Sequence, residues 1–239
     1  MRKARTILNM KPRIITPGIP LAEEMLSALI RRVGHSESLP VSSELATLIQ
    51  KALAEALQLA RPRAISRVSS VERIEKDAII GRGLCIESER CARLCSLMDS
   101  PAILLAYAVT LGDDLDRKIT SLQKESLSLA FVLDAAGSEI VERVADRMEE
   151  DLWKALDRDG FQRTARFSPG YCDWELAGQQ EIFEFLHPEQ IGIHHTRAWS
   201  MLPSKSITAV LLGAKAMPFD NACPLCSKKG CTYRRGVAP

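Results

Sequence analysis

The 239-residue chain reads as an α+β protein, and two segments carry that reading. A long amphipathic stretch from about Leu127 to Leu156 places Leu129, Val132, Leu133, Ala136, Ile140, Val144, Met148 and Leu152 at helical spacing. Ahead of it, Ala102 to Val109 is apolar throughout, and its length and flanks make it a buried strand. Strand-like and helical segments do not alternate regularly along the chain, as they would around a parallel sheet.

The elements follow in order. Residues 1–19 read as an extended arm broken by Pro12 and Pro17. From Pro20, Leu21, Met25, Leu29 and Val33 recur every four residues, which predicts a helix stopped by Gly34. A second helix runs from about Ser43, a candidate N-cap, to Ala60, before Pro62. Ala64–Val68 and Ala78–Ile80 are short strand-like pieces, and Gly81-Arg82-Gly83 is a turn whose two glycines match no phosphate-binding fingerprint. Glu87 to Met98 is helical in pattern, Ser100-Pro101 breaks it, and the strand Ala102–Thr110 follows. A helix from Asp113 to Leu122 has the acidic first turn that the helix dipole favours. Gly137 interrupts the long helix at a modest cost. Residues 161–167 read as a strand leading into the loop 168–174, then come a helix from Glu175 to Leu186 and strands near Ile191–Thr196 and Ser206–Leu212.

Composition narrows the function classes. Apolar residues at 46% and charged residues at 26% exclude wholesale disorder. The longest apolar run, eight residues, is far short of a membrane span, which needs about 20. The net charge of +2 is unevenly placed: residues 1–20 carry +5, residues 221–239 carry +4, and the 200 between them carry −7. A nucleic-acid binder spreads its basic residues over a face of the fold, so nucleic acid is not the expected partner. The basic ends suit either solvated termini or docking on an acidic partner. Ile7-Leu8 is interrupted by Asn9 and Lys11, so no secretory signal is read. The expected compartment is cytoplasmic, with the seven cysteines reduced.

Three places could carry chemistry. In Arg166-Phe167-Ser168-Pro169-Gly170-Tyr171, Pro169 biases Ser168 away from helix and Gly170 permits a positive φ. Such a loop sets an Arg, whose planar fork suits a carboxylate, beside backbone that a ligand can approach. It equally suits a plain turn with a surface Arg. In Glu149-Glu150-Asp151 the three acids fan around the helix, and Glu150 falls roughly 40° from Ala136, at the border of the apolar stripe. A solvated charge run is the alternative. The third place is Cys223-Pro224-Leu225-Cys226-Ser227-Lys228-Lys229-Gly230-Cys231, a C-x2-C-x4-C. Its first pair has the spacing that lets two thiolates grip one metal, so Cys223, Cys226 and Cys231 are candidate zinc or iron–sulfur ligands, with Cys172, His194, His195 or an exogenous group as the fourth. A redox-active thiol set and an inert tail are the other readings. Cys85, Cys91 and Cys95 are assigned to the core, and His194-His195, adjacent on a strand, should point to opposite faces.

Four pieces in one order resemble the activation (reactivation) domain of cobalamin-dependent methionine synthase, and more closely its short free-standing relatives. They are Tyr107-Ala108-Val109-Thr110-Leu111-Gly112, Ala145-Asp146-Arg147-Met148-Glu149-Glu150, Arg166-x-x-x-Gly170-Tyr171, and Thr196-Arg197-Ala198-Trp199-Ser200-Met201-Leu202-Pro203-x-x-Ser206-Ile207-Thr208. The resemblance implies a twisted antiparallel sheet flanked by helices. It divides the chain into an N-terminal arm and helical region of the same fold (1–99), an activation-domain-like core (100–213) and a Cys-rich basic tail (214–239).

The resemblance also implies binding of S-adenosylmethionine and docking on a corrinoid-binding protein or methyltransferase, whose cobalamin the domain caps. The chain would then support reductive methylation that returns oxidised cobalamin to service. Position by position, Glu150, Arg166 and Gly170 match residues at the methyl donor, and Tyr171 matches a tyrosine facing the corrin, the residue placed nearest the chemistry. Two departures are visible. No aspartate in residues 1–60 matches the family's N-terminal ligand contact, and Gly213 to Pro218 with the cysteine tail replaces a segment whose backbone holds the donor. The alternatives are a metal or iron–sulfur redox protein that reduces a corrinoid partner, and a non-catalytic docking subunit.

Overall fold

The computed structural model describes residues 11–35, 40–99, 103–157, 160–227 and 229. Its central strand, β5 (Ile103–Thr110), is buried at every residue. Side chains of a strand alternate between its faces, so an unbroken apolar run means that both faces are covered. Numbered along the chain, the other strands are β1 (Arg13–Ile15), β2 (Arg63–Ile74), β3 (Ala78–Gly81), β4 (Leu84–Glu87), β6 (Gln162–Arg163), β7 (His194–His195), β8 (Met201–Leu202) and β9 (Ser206–Ala214). An antiparallel seven-stranded sheet runs β4-β3-β2-β5-β9-β6, with β1 beside the start of β2. Register is set in the middle, where Arg63 pairs with Thr110 on one side of β5 and Ile103 with Gly213 on the other.

Helices cover both faces. On one side Tyr107 and Val109 of β5 and Leu211 of β9 meet the helices α1 (Leu26–Arg32), α2 (Ser43–Leu59), α4 (Asp114–Leu122) and the long α5 (Leu127–Asp157). On the other, Leu104, Ala106 and Ala108 meet α3 (Glu89–Ser96) and α6 (Gln179–Leu186) through Leu94, Ile182 and Phe185. Each such large apolar side chain contributes about 1.5–3 kcal/mol by leaving water. The α+β class and the helix-flanked antiparallel sheet expected from the sequence are thus observed. Among the described residues no helix is long and apolar enough to cross a membrane.

The long helix forms as its stripe predicts, and Gly137 has a definite reason to be there. A Cβ at that position would lie 2.2 Å from Leu115 Cδ2 and 3.2 Å from the Lys205 stem. The glycine lets α4 and the start of β9 press onto α5. Ser42, one residue before the expected cap, accepts from the Leu45 amide at 3.2 Å and starts α2.

The strands depart more from expectation. β2 continues to Ile74, well past Val68, because β5 holds its first half and β3 its second. Its polar residues Ser69, Ser70, Glu72 and Arg73 carry no apolar signal, yet backbone pairing keeps them extended. Leu84–Glu87 is a strand closing a hairpin around the predicted glycine turn. Near Ile191 the chain instead makes a 3-10 turn, Pro188–Ile191, and pairing resumes only at His194–His195, on a separate two-stranded ribbon with β8.

Candidate functional site

The site grows from an irregularity at the sheet edge. β6 pairs with β9 through Gln162↔Ala214 and Arg163↔Gly213, while Phe167 pairs with Val210. The first register would set Phe167 opposite Ala209, so one extra residue is accommodated between Arg163 and Phe167. That is a β-bulge, a device that re-aims a side chain. Thr164 stays on β9, donating its amide to Leu212 O at 2.9 Å and accepting the Leu212 amide on its hydroxyl at 3.0 Å. Ala165 leaves the ladder and donates to Asp220 O at 2.6 Å. Arg166 follows, turned toward α5.

There Arg166 meets three carboxylates. Its Nε is 2.8 Å from Glu149 Oε1, its Nη1 donates to Glu142 Oε2 at 2.9 Å, and its Nη2 donates to Asp146. Residues 142, 146 and 149 are spaced four and three apart, so they line one face of α5. Glu149 also accepts from the Tyr107 hydroxyl, and from Arg163 Nη1 at 3.2 Å. Burial is uneven: the side chains of Arg166 and Glu149 are 12% and 4% exposed, those of Glu142 and Asp146 45% and 46%. Burial pushes the Glu149 carboxyl up, against the pull of Arg166, Tyr107 and Arg163. Burial also opposes the Arg166 charge, but the three acids outweigh it and hold that guanidinium protonated. The Tyr107 phenol, pushed well up by burial, stays protonated as the donor.

Two adjoining cavities open here. One, of about 440 Å³, is lined by Asp146, Glu149, Arg163, Thr164, Ala165, Arg166 and Asp220. The other, of about 400 Å³, is lined by Glu24, Arg143, Asp146, Arg147, Glu150 and Arg163. Arg147 grips both oxygens of Glu24, at 2.6 and 2.8 Å, and donates to Ile19 O at 3.1 Å, so the N-terminal segment forms one wall. With Glu142 included, the cleft gathers six acids (Glu24, Glu142, Asp146, Glu149, Glu150, Asp220) against four arginines (143, 147, 163, 166). A net negative cleft with oriented guanidinium groups suits a small zwitterionic or cationic ligand that also carries an anionic group.

Of the residues singled out in the sequence, Glu150 and Arg166 therefore line neighbouring cavities that share Asp146 and Arg163. The buried acid of the Glu149-Glu150-Asp151 run is Glu149, one turn after buried Ala145, while Glu150 is exposed. Gly170 and Tyr171 lie past Phe167 on the loop, outside the lining of either cavity. Gly170 takes φ 89° and Tyr171 is 54% exposed. Asp173 anchors that loop, accepting from the Ser88 hydroxyl at 2.7 Å and the Arg90 amide at 3.1 Å at the start of α3.

The cysteines fall into three groups, and Cys85, assigned to the core with Cys91 and Cys95, is only half-buried on β4. Cys91 and Cys95 are buried on α3, and burial pushes their thiols up to about 12 and about 11, so they are inert core, as expected. Cys172 is exposed, beside the tail. Burial of its sulfur raises its thiol, Arg90 works the other way, and Cys223 and Cys226 are near enough to add to the rise. Cys223 sits on a 3-10 turn, Cys223–Leu225, its amide bound to Asn221 Oδ1 at 2.8 Å. Cys231 lies outside the described residues. Among the described residues no three His, Cys, Asp or Glu side chains are gathered as a metal ligand set. His194 and His195 are both exposed, His195 standing edge-on to Phe183 at 4.8 Å between ring centres.

No protein-family model matches the chain, and no curated protein matches it in sequence. A solved structure of the MetH reactivation domain bound to AdoHcy does match in shape, with a TM-score of 0.64 and 14% sequence identity, over 90% of this chain and 82% of that one. The chain has the fold of that reactivation domain. At this identity the likeness concerns the fold.

Sequence reasoning gave no site role to Tyr107, Glu142, Asp146, Arg163 and Asp220, and within the Glu149-Glu150-Asp151 run it favoured Glu150 over Glu149. Glu142, Asp146 and Glu149 were findable as acids at four- and three-residue spacing along the edge of the apolar stripe. Tyr107, the polar-tipped residue of an otherwise apolar strand, needed a buried partner. Asp220 gave no signal, since the return of the tail to the bulge is a tertiary event.

Proposed function

We propose that this protein is a reactivation factor for a corrinoid-dependent methyltransferase. It binds a ligand of the S-adenosylmethionine class in the cleft along α5 and covers the corrinoid of a partner with the loop that carries Tyr171. One observation carries the reading: a bulge in a reactivation-domain fold aims Arg166 into an acid-rich cleft, and the solved structure of that fold has AdoHcy bound. The residues fit such a ligand. Arg166 offers a fork to its carboxylate, and Glu150 offers acceptors to its amino group or hydroxyls. Glu24 supplies an acid from the N-terminal region, where no aspartate matched the family's ligand contact. S-adenosylmethionine would supply a methyl group carried on a sulfonium and leave as S-adenosylhomocysteine, and a partner's oxidised cobalamin would accept that methyl together with one electron from an external one-electron reductant.

What this chain contributes is placement. The cleft fixes the donor by its charged end, and the exposed ring of Tyr171 caps the macrocycle and excludes water. The gain is orientation and desolvation. Calorimetry with S-adenosylhomocysteine tests the reading. Saturation at about 100 times Kd stabilises the fold by about 2.7 kcal/mol, a melting-temperature rise of roughly 5–10 °C at this size. No binding heat and no shift with millimolar ligand overturns it.

A second reading, a thiolate metal centre on the tail, is favoured by the approach of Cys172 to Cys223 and Cys226. Cys231 follows Cys226 by five residues in the sequence and would supply a fourth thiol. Protein purified without oxygen is then expected to carry zinc or iron that is lost in Cys226→Ser. All tail thiols titrating freely, with less than about a tenth of a metal ion per chain, removes this reading.

A further inference from the structure

We infer that Glu142 and Asp146 are internal stand-ins for the anionic group of the ligand at Arg166, and that ligand binding is an exchange of carboxylates on one pre-oriented fork. The inference rests on the ligand reading above and concerns how the same site is regulated.

The asymmetry of the fork carries it. Arg166 uses Nε on Glu149, whose side chain is 4% exposed, and Nη1 and Nη2 on Glu142 and Asp146, whose side chains are 45% and 46% exposed. Glu149 cannot leave, because Tyr107 and Arg163 also hold it and departure would strand a buried carboxylate. The two outer acids can leave at small cost, because turning into water restores their hydration and their rotamer freedom. The buried contact therefore fixes the plane and direction of the guanidinium, and the exposed contacts occupy its two terminal nitrogens, one of them through Asp146, which lines the cavity with Arg166. An incoming carboxylate finds two parallel N–H donors already aimed, the arrangement a bidentate pair needs. The charge at Arg166 stays compensated throughout, because one anionic partner replaces another.

The consequence is a reversal of sign. If Glu142 and Asp146 were ligand contacts, removing their charge would weaken binding. As competitors, their removal tightens it. Neutralising them is expected to strengthen affinity for a carboxylate ligand roughly two- to five-fold per residue, the range of an exposed ion pair. The same change should expose Arg166 to reagents that attack the guanidinium, with no ligand present.

The experiment uses the full chain, as wild type, Glu142→Gln, Asp146→Asn and the double variant. Phenylglyoxal modification is followed at Arg166 by peptide mass mapping, and S-adenosylhomocysteine affinity is measured by calorimetry. The expected result is faster modification of Arg166 and tighter S-adenosylhomocysteine binding, both largest in the double variant. Unchanged or slower modification overturns the exchange, whatever the ligand does. Faster modification with weaker binding also overturns it, and makes Glu142 and Asp146 ligand contacts. Faster modification with no binding to any of the four proteins sustains the exchange at Arg166 while removing the ligand reading on which its biological use rests.

Discussion

Arg166→Ala is expected to destabilise the fold by about 3–5 kcal/mol, the usual loss when one partner of a buried ion pair is removed. The physical reason is Glu149, left buried with only Tyr107 and the half-buried Arg163 to compensate it. Urea unfolding measures the loss. For contrast, Arg73→Ala breaks the exposed pair with Glu75 and should cost about 0.2–1 kcal/mol. The second substitution in Arg166→Ala/Glu149→Gln should recover part of the loss, because an amide is cheaper to bury than an unpaired carboxylate. The pH dependence has a definite sign. Burial already raises the Glu149 carboxyl above its ordinary 4.5, and without Arg166 it rises further. A raised carboxyl contributes its stability below the unfolded value and loses it as pH climbs through the folded one. The penalty should therefore be largest at neutral pH and shrink as pH falls toward 4.5. A loss below about 1 kcal/mol at pH 7 would mean that the three acids do not depend on Arg166.

This web of charges also shows where sequence reading stops. The long helix and the central strand were legible because each has a single period or run that one physical cause produces: a stripe facing a sheet, and a strand covered on both faces. Helix ends were placed within a few residues by Ser43, Gly34 and Pro62. The polar half of β2 was not legible, since it is held by hydrogen bonds to β5 and β3 that depend on residues far along the chain. The site was half legible. Arg166 stands out beside Pro169 and Gly170, but its partners belong to a helix some twenty residues earlier, and the bulge that joins them is a register shift against β9 that no local pattern records. The acidic run drew attention to Glu150, whereas packing buried Glu149. One residue along a helix is a turn of about 100°, enough to move a carboxylate from water to the core. The two therefore play different parts, Glu149 holding the arginines and Glu150 facing the cleft.

The second large effect is expected at Trp153, which fixes the end of α5 to the sheet edge. Its side chain is 5% exposed, and its indole N–H donates to Phe161 O at 3.1 Å. Its ring lies so close to Gly213 that a Cβ there would come within 2.3 Å of Cη2. Gly213 in turn pairs with Arg163, so one contact joins the helix, β9 and the strand that leads into the bulge. Trp153→Ala removes the ring and leaves a cavity, at about 3–5 kcal/mol. Trp153→Phe keeps much of the apolar contact and loses the hydrogen bond, at about 0.5–1.5 kcal/mol for that bond. The functional consequence separates this residue from an ordinary core position. Once Phe161 is released, Arg163 loses its fixed place against Glu149, and the cleft loses one of its oriented cations. Both variants should therefore weaken S-adenosylhomocysteine binding in the order of their stability losses, measured well below the melting transition where the protein is still folded. A core substitution on the opposite face of the sheet, such as Ile182→Ala, should lower stability by about 2–5 kcal/mol and leave that affinity unchanged. Equal affinity losses for Trp153→Ala and Ile182→Ala would show that binding follows global stability, and that the rivet at Trp153 does not position the site.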